Sequence, residues 1–155
     1  MGRKEKEIID NKALDEIIGS AQVCRLSLSD GNRSYIVPLC FGYKDRILYF
    51  HSAAEGKKIE IIKKNPNVCF EFDHNVEVIQ TEIPCKWGMK YQSIIGYGKA
   101  IFIETIEEKR EALNIIMNQY TEDPFSFEDS AISKSTVFKV VIKEISGKQS
   151  GVQIK

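Results

Sequence analysis

The sequence carries no excess charge of either sign. Its 22 basic and 22 acidic side chains cancel, so the formal net charge at pH 7 is zero. Domains that bind nucleic acids are typically basic, and long-range attraction of a charged partner needs a net field around the protein. The charge balance therefore predicts no nucleic-acid partner and requires any anion-binding site to be local.

Long hydrophobic runs are also missing. The longest apolar runs span only a few residues, far short of the roughly 20 that a membrane-spanning helix needs. The charged N-terminal residues lead into no apolar segment, so no signal peptide is expected. We therefore expect a cytoplasmic protein that does not enter a membrane.

Cysteine and histidine are sparse and widely spaced. The four cysteines form no C-x-x-C pair, and the two histidines do not fall at metal-ligand spacing. The spacing therefore predicts no metal site and reduced thiols, as is usual in the cytosol. Cys24, Cys40 and Cys69 lie in strand-like runs and are expected in the core, whereas Cys85, near the only tryptophan, has no assigned role.

The 155 residues, 43% of them hydrophobic, suffice for one domain with a hydrophobic core. We therefore treat residues 1–155 as a single domain. Alternating apolar residues between turn signals predict antiparallel strands at residues 22–28, 33–42, 47–50, 67–73, 90–103 and 136–145. Residues 74–80 are ambiguous, and residues 146–155 are predicted to form a tail that contains Gly and Ser.

Three helices are predicted around these strands. The first begins at residue 10 or 11 and ends at Gly19, and the second begins at residue 55 or 56 and ends before Asn65-Pro66. The third opens with a capping box, Thr105 to Glu108, and runs to about residue 120. A further short helical turn is expected within residues 121–135. Together the elements predict a mainly β protein, a barrel with helices at its ends.

Pro38 lies in the middle of the second predicted strand. Proline cannot donate a hydrogen bond to a strand ladder, so this point must be a sheet edge, a bulge, or a place where something other than a strand lies alongside. Gly96 and Gly98 interrupt the long strand at residues 90–103. They mark places where another backbone or a ring needs room, or where the strand bends.

The segment 47–58 joins a strand to a helix start and gathers His51, Ser52, Lys57 and Lys58. A helix start presents unpaired backbone N–H groups and the positive end of the helix dipole. With an imidazole, a hydroxyl and two ammonium groups alongside, it is suited to bind a phosphate. It is not a Walker A loop, since the first glycine is missing and Lys58 stands where Ser or Thr should follow the lysine. From these residues alone, a surface turn with a solvated lysine pair is an equally good interpretation.

Four stretches stand in one order at short spacing. They are residues 35–43 (YIVPLCFGY), residues 48–58 (LYFHSAAEGKK), Asn65-Pro66 ahead of a strand, and residues 87–98 (WGMKYQSIIGYG). Jointly these motifs resemble the flavin-binding split barrel of the pyridoxamine 5′-phosphate oxidase-like superfamily. The resemblance is closest to its nitroimidazole-resistance (Nim-like) branch and covers residues 3–147.

The resemblance implies a fold, a cofactor and an assembly. Members of this superfamily form a six-stranded antiparallel split β-barrel that dimerises and holds FMN in each of two clefts between the subunits. We therefore expect a homodimer with FMN at its subunit interface, with FAD as the alternative flavin.

The resemblance also implies the residues that bind the flavin phosphate. His51 and Ser52 match the phosphate-contacting pair at the end of the third strand. Lys57 and Lys58 match the basic pair that neutralises the same phosphate.

The positions that would contact the rest of the flavin lie on two other strands. Val37, Pro38 and Leu39 match the strand segment that runs along the isoalloxazine ring, which would explain the proline. Tyr91 and Ser93 match positions that approach the ring or its ribityl chain from the other subunit.

The activity implied by the resemblance is that of an FMN-dependent oxidoreductase. The flavin would pass electrons to a small electron-poor acceptor such as a nitroimidazole, with His51 as the candidate catalytic proton donor. The chain lacks the basic, Trp-containing C-terminal segment of the true pyridoxamine phosphate oxidases, so that activity is not expected. Two alternatives stay open: a non-enzymatic flavin or haem binding protein, acting as carrier or sensor, and a barrel with an empty cleft. Trp87 either caps the flavin cleft or anchors a loop to the core.

Overall fold

The computed structural model describes residues 4–151. After a short 3-10 turn, Lys4–Lys6, the strands are β1 (Glu7–Ile8), β2 (Cys24–Asp30), β3 (Arg33–Leu39), β4 (Gly42–Lys44), β5 (Ile47–Ser52), β6 (Asn67–Ile79), β7 (Gly88–Ile103) and β8 (Thr136–Ser150). The helices are α1 (Asn11–Ser20), α2 (Lys57–Lys64), α3 (Ile106–Asn118) and α4 (Asp129–Lys134), and a second 3-10 turn covers Pro84–Lys86.

All strands belong to one antiparallel sheet. Its order is β3-β2-β6-β7-β8-β5-β4, and β1 pairs with the far end of β8. Six strands are six or more residues long, and the remaining two, β1 and β4, are short. Helix α1 packs on β6 and β7, α2 on β2, and α3 on β4 and β5. The prediction of a mainly β protein with flanking helices is therefore confirmed.

Alternation along the strands builds the core. In β2 the side chains of Cys24, Leu26 and Leu28 are buried, while their neighbours point outward. Five phenylalanines form the largest fully buried side chains, and the rings of Phe50 and Phe138 stack with centroids 5.1 Å apart. Burying one such side chain stabilises the folded state by about 1.5–3 kcal/mol.

The four cysteines are unpaired, but they do not share one environment. Cys24 is fully buried, and this burial strongly raises the pKa of its thiol. Cys69 is half-buried, whereas Cys40 and Cys85 are exposed. The prediction that Cys40 lies in the core is wrong, because Cys40 continues the outward-facing set of Ile36 and Pro38, while Phe41 after it is buried.

Pro38 lies at an edge of the sheet. Within residues 4–151, β3 pairs only with β2, and Pro38 stands opposite Arg25 in that pairing. The side chain of Pro38 is exposed. Of the alternatives that the sequence left open, a sheet edge is confirmed.

Two strands run further than the sequence pattern indicated. β6 continues to Ile79 through a register shift after His74, where Asn75 has a φ of 53°, and this irregularity breaks the alternation. β8 continues to Ser150, so residues 146–150 are not a tail. That part of β8 is held by backbone pairing with β7 on one side and β1 on the other, which side-chain patterning does not reveal. The last four residues of the predicted tail, 152–155, lie outside the described residues.

The helix caps follow the predicted chemistry. Asp10 accepts a hydrogen bond from the backbone N–H of Ala13 at 3.1 Å, and Thr105 accepts one from Glu108 at 3.2 Å. Each side chain satisfies a backbone donor that the helix itself leaves unpaired. None of the helices within residues 4–151 combines the length and apolar character that a membrane crossing requires.

Two of the three glycines of β7, Gly96 and Gly98, make room for close neighbours. A Cβ at Gly96 would collide with the ring of Phe70, and a Cβ at Gly98 would collide with the carbonyl oxygen of Val141 on β8. The prediction that these glycines leave room for a ring or another backbone is confirmed, for a ring at Gly96 and for a backbone at Gly98. In both cases the neighbour belongs to the same chain.

We expect Gly98→Ala to lower the free energy of unfolding by about 1–3 kcal/mol, the usual cost of overpacking a filled site. The Val141 carbonyl cannot retreat without disturbing the β7–β8 ladder. Urea denaturation measures the change. Gly88→Ala, at the start of the same strand, is the control, since a Cβ there meets nothing within 4 Å. Equal stability of the two variants would contradict this packing.

Candidate functional site

The end of β5 carries a buried hydroxyl group. Ser52 pairs with Thr136 and His51 with Val137 on β8, so the backbone of both residues is fixed by the ladder. Within residues 4–151 the Oγ atom of Ser52 is buried and has no hydrogen-bond partner. An unpaired buried hydroxyl is costly, and native proteins usually supply it with a partner. The His51 side chain beside it is exposed.

Helix α2 begins at Lys57, five residues after Ser52, without a side-chain cap. Its N-cap is Gly56, with φ 141° and ψ 166°, a conformation that only glycine adopts readily. No side chain caps this helix start. The first-turn N–H groups, beginning with Lys57 and Lys58, have no acceptor inside the helix. Together with the helix dipole they favour an anion at this point.

Lys57 connects the helix start to the edge strand β3. Its Nζ atom lies 4.9 Å from the centre of the Tyr35 ring, a cation–π arrangement. Lys57 is exposed and Lys58 is half-buried, so both ammonium groups can reach a ligand at the helix start. The contact places the predicted phosphate-binding residues next to the strand that was predicted to follow the flavin ring.

The two faces of β3 have different surroundings. Tyr35, Val37 and Leu39 share one face and pack against the core while remaining partly exposed. Pro38 and Ile36 point to the other face and are exposed. Val37 and Leu39 therefore lie on the face that Lys57 covers, and Pro38 contributes its backbone edge rather than its side chain.

Tyr91 and Ser93 are not part of this cluster within one chain. They lie in the first third of β7, where Tyr91 pairs with Ser150 and Ser93 with Lys148. The end of β7 that lies near β5 is at Phe102, which pairs with Phe138. Eleven residues separate Tyr91 from that point, roughly 35 Å along the strand at about 3.3 Å per residue. Within one chain, Tyr91 and Ser93 therefore lie far from Ser52.

Trp87 belongs to a projecting loop. Its indole N–H donates to the backbone carbonyl of Thr81 at 2.8 Å, and the side chain is half exposed. The tryptophan therefore fastens its own loop and does not anchor that loop to the core. Cys85 is exposed in the same loop.

Tyr35 is the site residue that the sequence analysis missed. It lies two residues from Val37, so the strand period places both on one face. Nothing in the local sequence signals its contact with Lys57, which lies 22 positions further along the chain and on another element.

Comparisons with known proteins agree with the fold. The family model described as pyridoxamine 5′-phosphate oxidase matches residues 10–149. No curated protein sequence matches the chain significantly.

Three solved structures illustrate the similarity. A candidate 5-nitroimidazole antibiotic resistance protein from Bacteroides thetaiotaomicron is 39% identical, with a TM-score of 0.84 over 92% of this chain and 85% of that one. An FAD-binding protein from Mesorhizobium loti is 23% identical, with a TM-score of 0.68 over 92% and 96%. An FAD and haem binding protein from Mycobacterium smegmatis is 14% identical, with a TM-score of 0.85 over 97% and 76%. The last two show the fold alone.

The family model covers most of the chain, and the relative from Bacteroides thetaiotaomicron is similar over nearly all of it. The sheet order and the flanking helices are consistent with the split barrel that the motifs implied. The chain therefore belongs to the pyridoxamine 5′-phosphate oxidase-like split-barrel family, and within it resembles the nitroimidazole-resistance branch.

Proposed function

We propose that the protein is a flavin-dependent oxidoreductase that binds FMN and reduces small, flat, electron-poor acceptors, nitroimidazoles among them. One observation carries the proposal: the unpartnered Ser52 hydroxyl lies beside the uncapped start of α2, where Lys57 and Lys58 stand. The 39% identity to a candidate nitroimidazole resistance protein supports the choice of acceptor. The four unpaired cysteines are consistent with action in the cytoplasm.

The residues at the helix start fit the phosphate of a flavin. The Ser52 hydroxyl and the first-turn N–H groups can donate hydrogen bonds to phosphate oxygens, and the two lysines supply opposite charge. Because the net charge of the protein is zero, this binding relies on local contacts. The bound flavin would supply the electron-transfer chemistry, and the protein would orient it and tune its electronics.

The edge of β3 is suited to a flat ring. Pro38 removes a backbone donor from this edge, which discourages another strand from pairing there. Val37 and Leu39 offer partly exposed apolar side chains on the face that Lys57 covers. We therefore place the isoalloxazine ring along residues 37–39 and its phosphate at Ser52.

We also propose a homodimer. Tyr91 and Ser93 lie far from Ser52 within one chain, so a partner subunit is needed to bring them to the flavin. The outer face of β7 and β8 exposes neighbouring apolar side chains of Ile95, Tyr97, Ile101 and Val141. These exposed apolar side chains, with Lys99 between Tyr97 and Ile101, are consistent with an interaction surface.

His51 is the candidate proton donor. It is exposed at the end of β5, one residue before Ser52, and can be approached by a small acceptor. Reduction of a nitro group consumes protons as well as electrons, and a positioned imidazole can supply them near neutral pH. The flavin-binding residues would be sufficient for a carrier, so turnover distinguishes the enzyme from a non-enzymatic binder.

The double substitution Lys57→Ala plus Lys58→Ala should weaken FMN binding strongly, since each lost charge-assisted hydrogen bond costs about 1.5–3 kcal/mol. Isothermal titration of the flavin-free protein measures the dissociation constant. The matched control is Lys63→Ala plus Lys64→Ala, which removes two lysines from the other end of the same helix. Retention of FMN by the first variant would count against the phosphate site.

Ser52→Ala should separate stability from binding. The free energy of unfolding of the flavin-free variant should equal that of the parent or exceed it by up to about 1–3 kcal/mol, because a buried unpaired hydroxyl is removed. FMN affinity should nevertheless fall. In the control, Ser135→Ala, a hydroxyl that donates to the Ile132 carbonyl at 2.7 Å is lost, so stability should fall while FMN affinity holds. A Ser52→Ala protein that is less stable and binds FMN normally would refute the assignment of Ser52.

Subunit mixing tests the shared site. Flavin-loaded protein should sediment as a dimer of 17.7 kDa chains. A chain with Lys57→Ala and Lys58→Ala and a chain with Tyr91→Ala and Ser93→Ala should each bind FMN poorly. Mixed dimers should regain one normal site per dimer. One of the two clefts then combines Lys57 and Lys58 of one chain with Tyr91 and Ser93 of the other, all unchanged. A flavin-loaded monomer, or mixtures that regain nothing, would contradict the shared site.

Turnover tests the catalytic part of the proposal. Flavin reduced with dithionite on the protein should be reoxidised by a nitroimidazole faster than by air. His51→Gln should slow this reoxidation by roughly 100-fold, the lower range for loss of a general acid, while flavin stays bound. Stopped-flow absorbance follows both rates. Reoxidation no faster than by air would favour a carrier, and an unchanged rate in His51→Gln would exclude His51 as the donor.

A further inference from the structure

The β6–β7 hairpin ends in a two-stranded arm. We define the arm as residues 75–90, which comprise the end of β6, the loop 80–87 and the start of β7. Every residue from 75 to 89 is exposed, and within residues 4–151 the pairing of β7 with β8 begins only at Tyr91. A hairpin of two strands is at most marginally stable in water by itself. The arm therefore needs a further surface to pack against.

One face of the arm is apolar and the other is charged. Val78 pairs with Met89, and both side chains are exposed. The neighbouring pair, Glu77 and Lys90, points to the opposite face and forms an ion pair, with Nζ 3.5 Å from Oε2. Exposed apolar side chains that lie together mark an interaction site. The face of Val78 and Met89 is therefore the one that a protein partner would cover.

The apolar face of the arm continues the row of Tyr91 and Ser93. Alternate residues of a strand share a face, so Met89, Tyr91 and Ser93 lie on one side of β7, opposite the buried Ile94. The proposed function assigns Tyr91 and Ser93 to the flavin of the partner subunit. At about 3.3 Å per residue, Met89 lies about 7 Å beyond Tyr91. In such a dimer the arm extends past that flavin, and the second copy of the chain is the surface on which it packs.

Trp87 stands at the end of the arm loop, two positions before Met89. Its ring is half exposed, yet its orientation is fixed, because the indole N–H donates to the Thr81 carbonyl at 2.8 Å. The Thr81 hydroxyl in turn donates to the Ile83 carbonyl at 2.8 Å. A ring that is already in place loses little conformational entropy when a ligand stacks on it. The electron-rich indole therefore suits a flat, electron-poor ring.

We propose that the arm of one subunit forms the wall of the acceptor site beside the flavin of its partner. Trp87 stacks on the electron-poor acceptor, and Val78 and Met89 line the wall beside it. This inference rests on the proposed function and names the residues that select the acceptor. Each active site then combines two chains, one that binds the flavin phosphate and one that supplies the wall. Molecular oxygen is too small to need the wall, so reoxidation by air does not depend on it.

Substitutions on the arm test the wall. In Trp87→Ala the concentration of a 5-nitroimidazole that gives half the maximal rate of flavin reoxidation should rise about tenfold, the upper range for one aromatic pair. FMN affinity and the rate of reoxidation by air should stay as in the parent. Trp87→Phe keeps a ring but loses the bond to Thr81, so it should recover most of the loss if stacking is the cause. The control is Ile79→Ala, which removes an apolar side chain from the face of Glu77 and should change nothing.

Tryptophan fluorescence tests the packing of the arm without any flavin. Trp87 is the only tryptophan of the chain, so its emission reports on the arm alone. When the flavin-free parent is diluted, the emission maximum should move to longer wavelength over the concentration range in which sedimentation shows the dimer dissociating. An emission maximum that stays constant through this dissociation would contradict packing of the arm on a second copy.

Mixed dimers, isolated with two different affinity tags, show which chain supplies the wall. One chain carries Lys57→Ala and Lys58→Ala, and the other carries Trp87→Ala. The one cleft that keeps its flavin then uses the phosphate site of the second chain and the unchanged arm of the first. Its reoxidation by the nitroimidazole should match the parent. In the reciprocal dimer all three substitutions lie in one chain, and the flavin-loaded cleft should behave like Trp87→Ala.

The outcomes separate this inference from the proposed function. An unchanged half-saturating concentration in Trp87→Ala, or slow reoxidation in the first mixed dimer, would overturn the assignment of the wall to the partner's arm while the flavin site stands. Failure of the parent to bind FMN would refute the proposed function, and the acceptor wall with it.

Discussion

Polar groups without hydrogen-bond partners flank the short loop between β5 and α2. The Ser52 hydroxyl is buried without a hydrogen bond inside the described chain, and α2 begins a few residues later without a side-chain cap. Both are unfavourable in isolation, because buried or helix-terminal donors cost free energy when unpaired. Lys57 and Lys58 add positive charge to this helix start, which therefore favours an anion. These unpaired donors lower the stability of the fold locally, and a bound phosphate would remove that penalty by accepting their hydrogen bonds. Local penalties of this kind are typical of ligand sites.

The long strands hold this point in place. β8 fixes the end of β5 by pairing Ser52 with Thr136 and His51 with Val137. β7 crosses the sheet beside β8 and carries Tyr91 and Ser93 to the far end, out of reach of Ser52 in the same chain. The same architecture that fixes Ser52 and His51 therefore keeps Tyr91 and Ser93 apart from them within one chain, which is why we propose a homodimer. The contact between Lys57 and Tyr35 ties the edge strand β3 to the helix start and so links the proposed phosphate site to the strand that was predicted to follow the flavin ring.

Much of the fold could be predicted because it follows from local chemistry. The caps at Asp10 and Thr105, the buried alternation of β2 and the edge position of Pro38 all follow from the properties of single residues or short periods. The parts that could not be predicted depend on contacts between distant segments. β8 extends to Ser150 because β1 and β7 flank it, and Tyr35 joins the site through a lysine on another element. A cavity beside α2, lined by the loop before α2 and by α2, β7, α3 and β8, is likewise formed by segments that no local pattern relates.

The central claim is that the start of α2 binds the phosphate of a flavin. The most direct measurement is the visible absorbance spectrum and mass of the small molecule that copurifies with the untreated protein. The account predicts a yellow protein with close to one flavin nucleotide per chain, released on denaturation with its phosphate attached. A haem spectrum, or a preparation without any phosphorylated chromophore that also takes up none from added flavin, would contradict it.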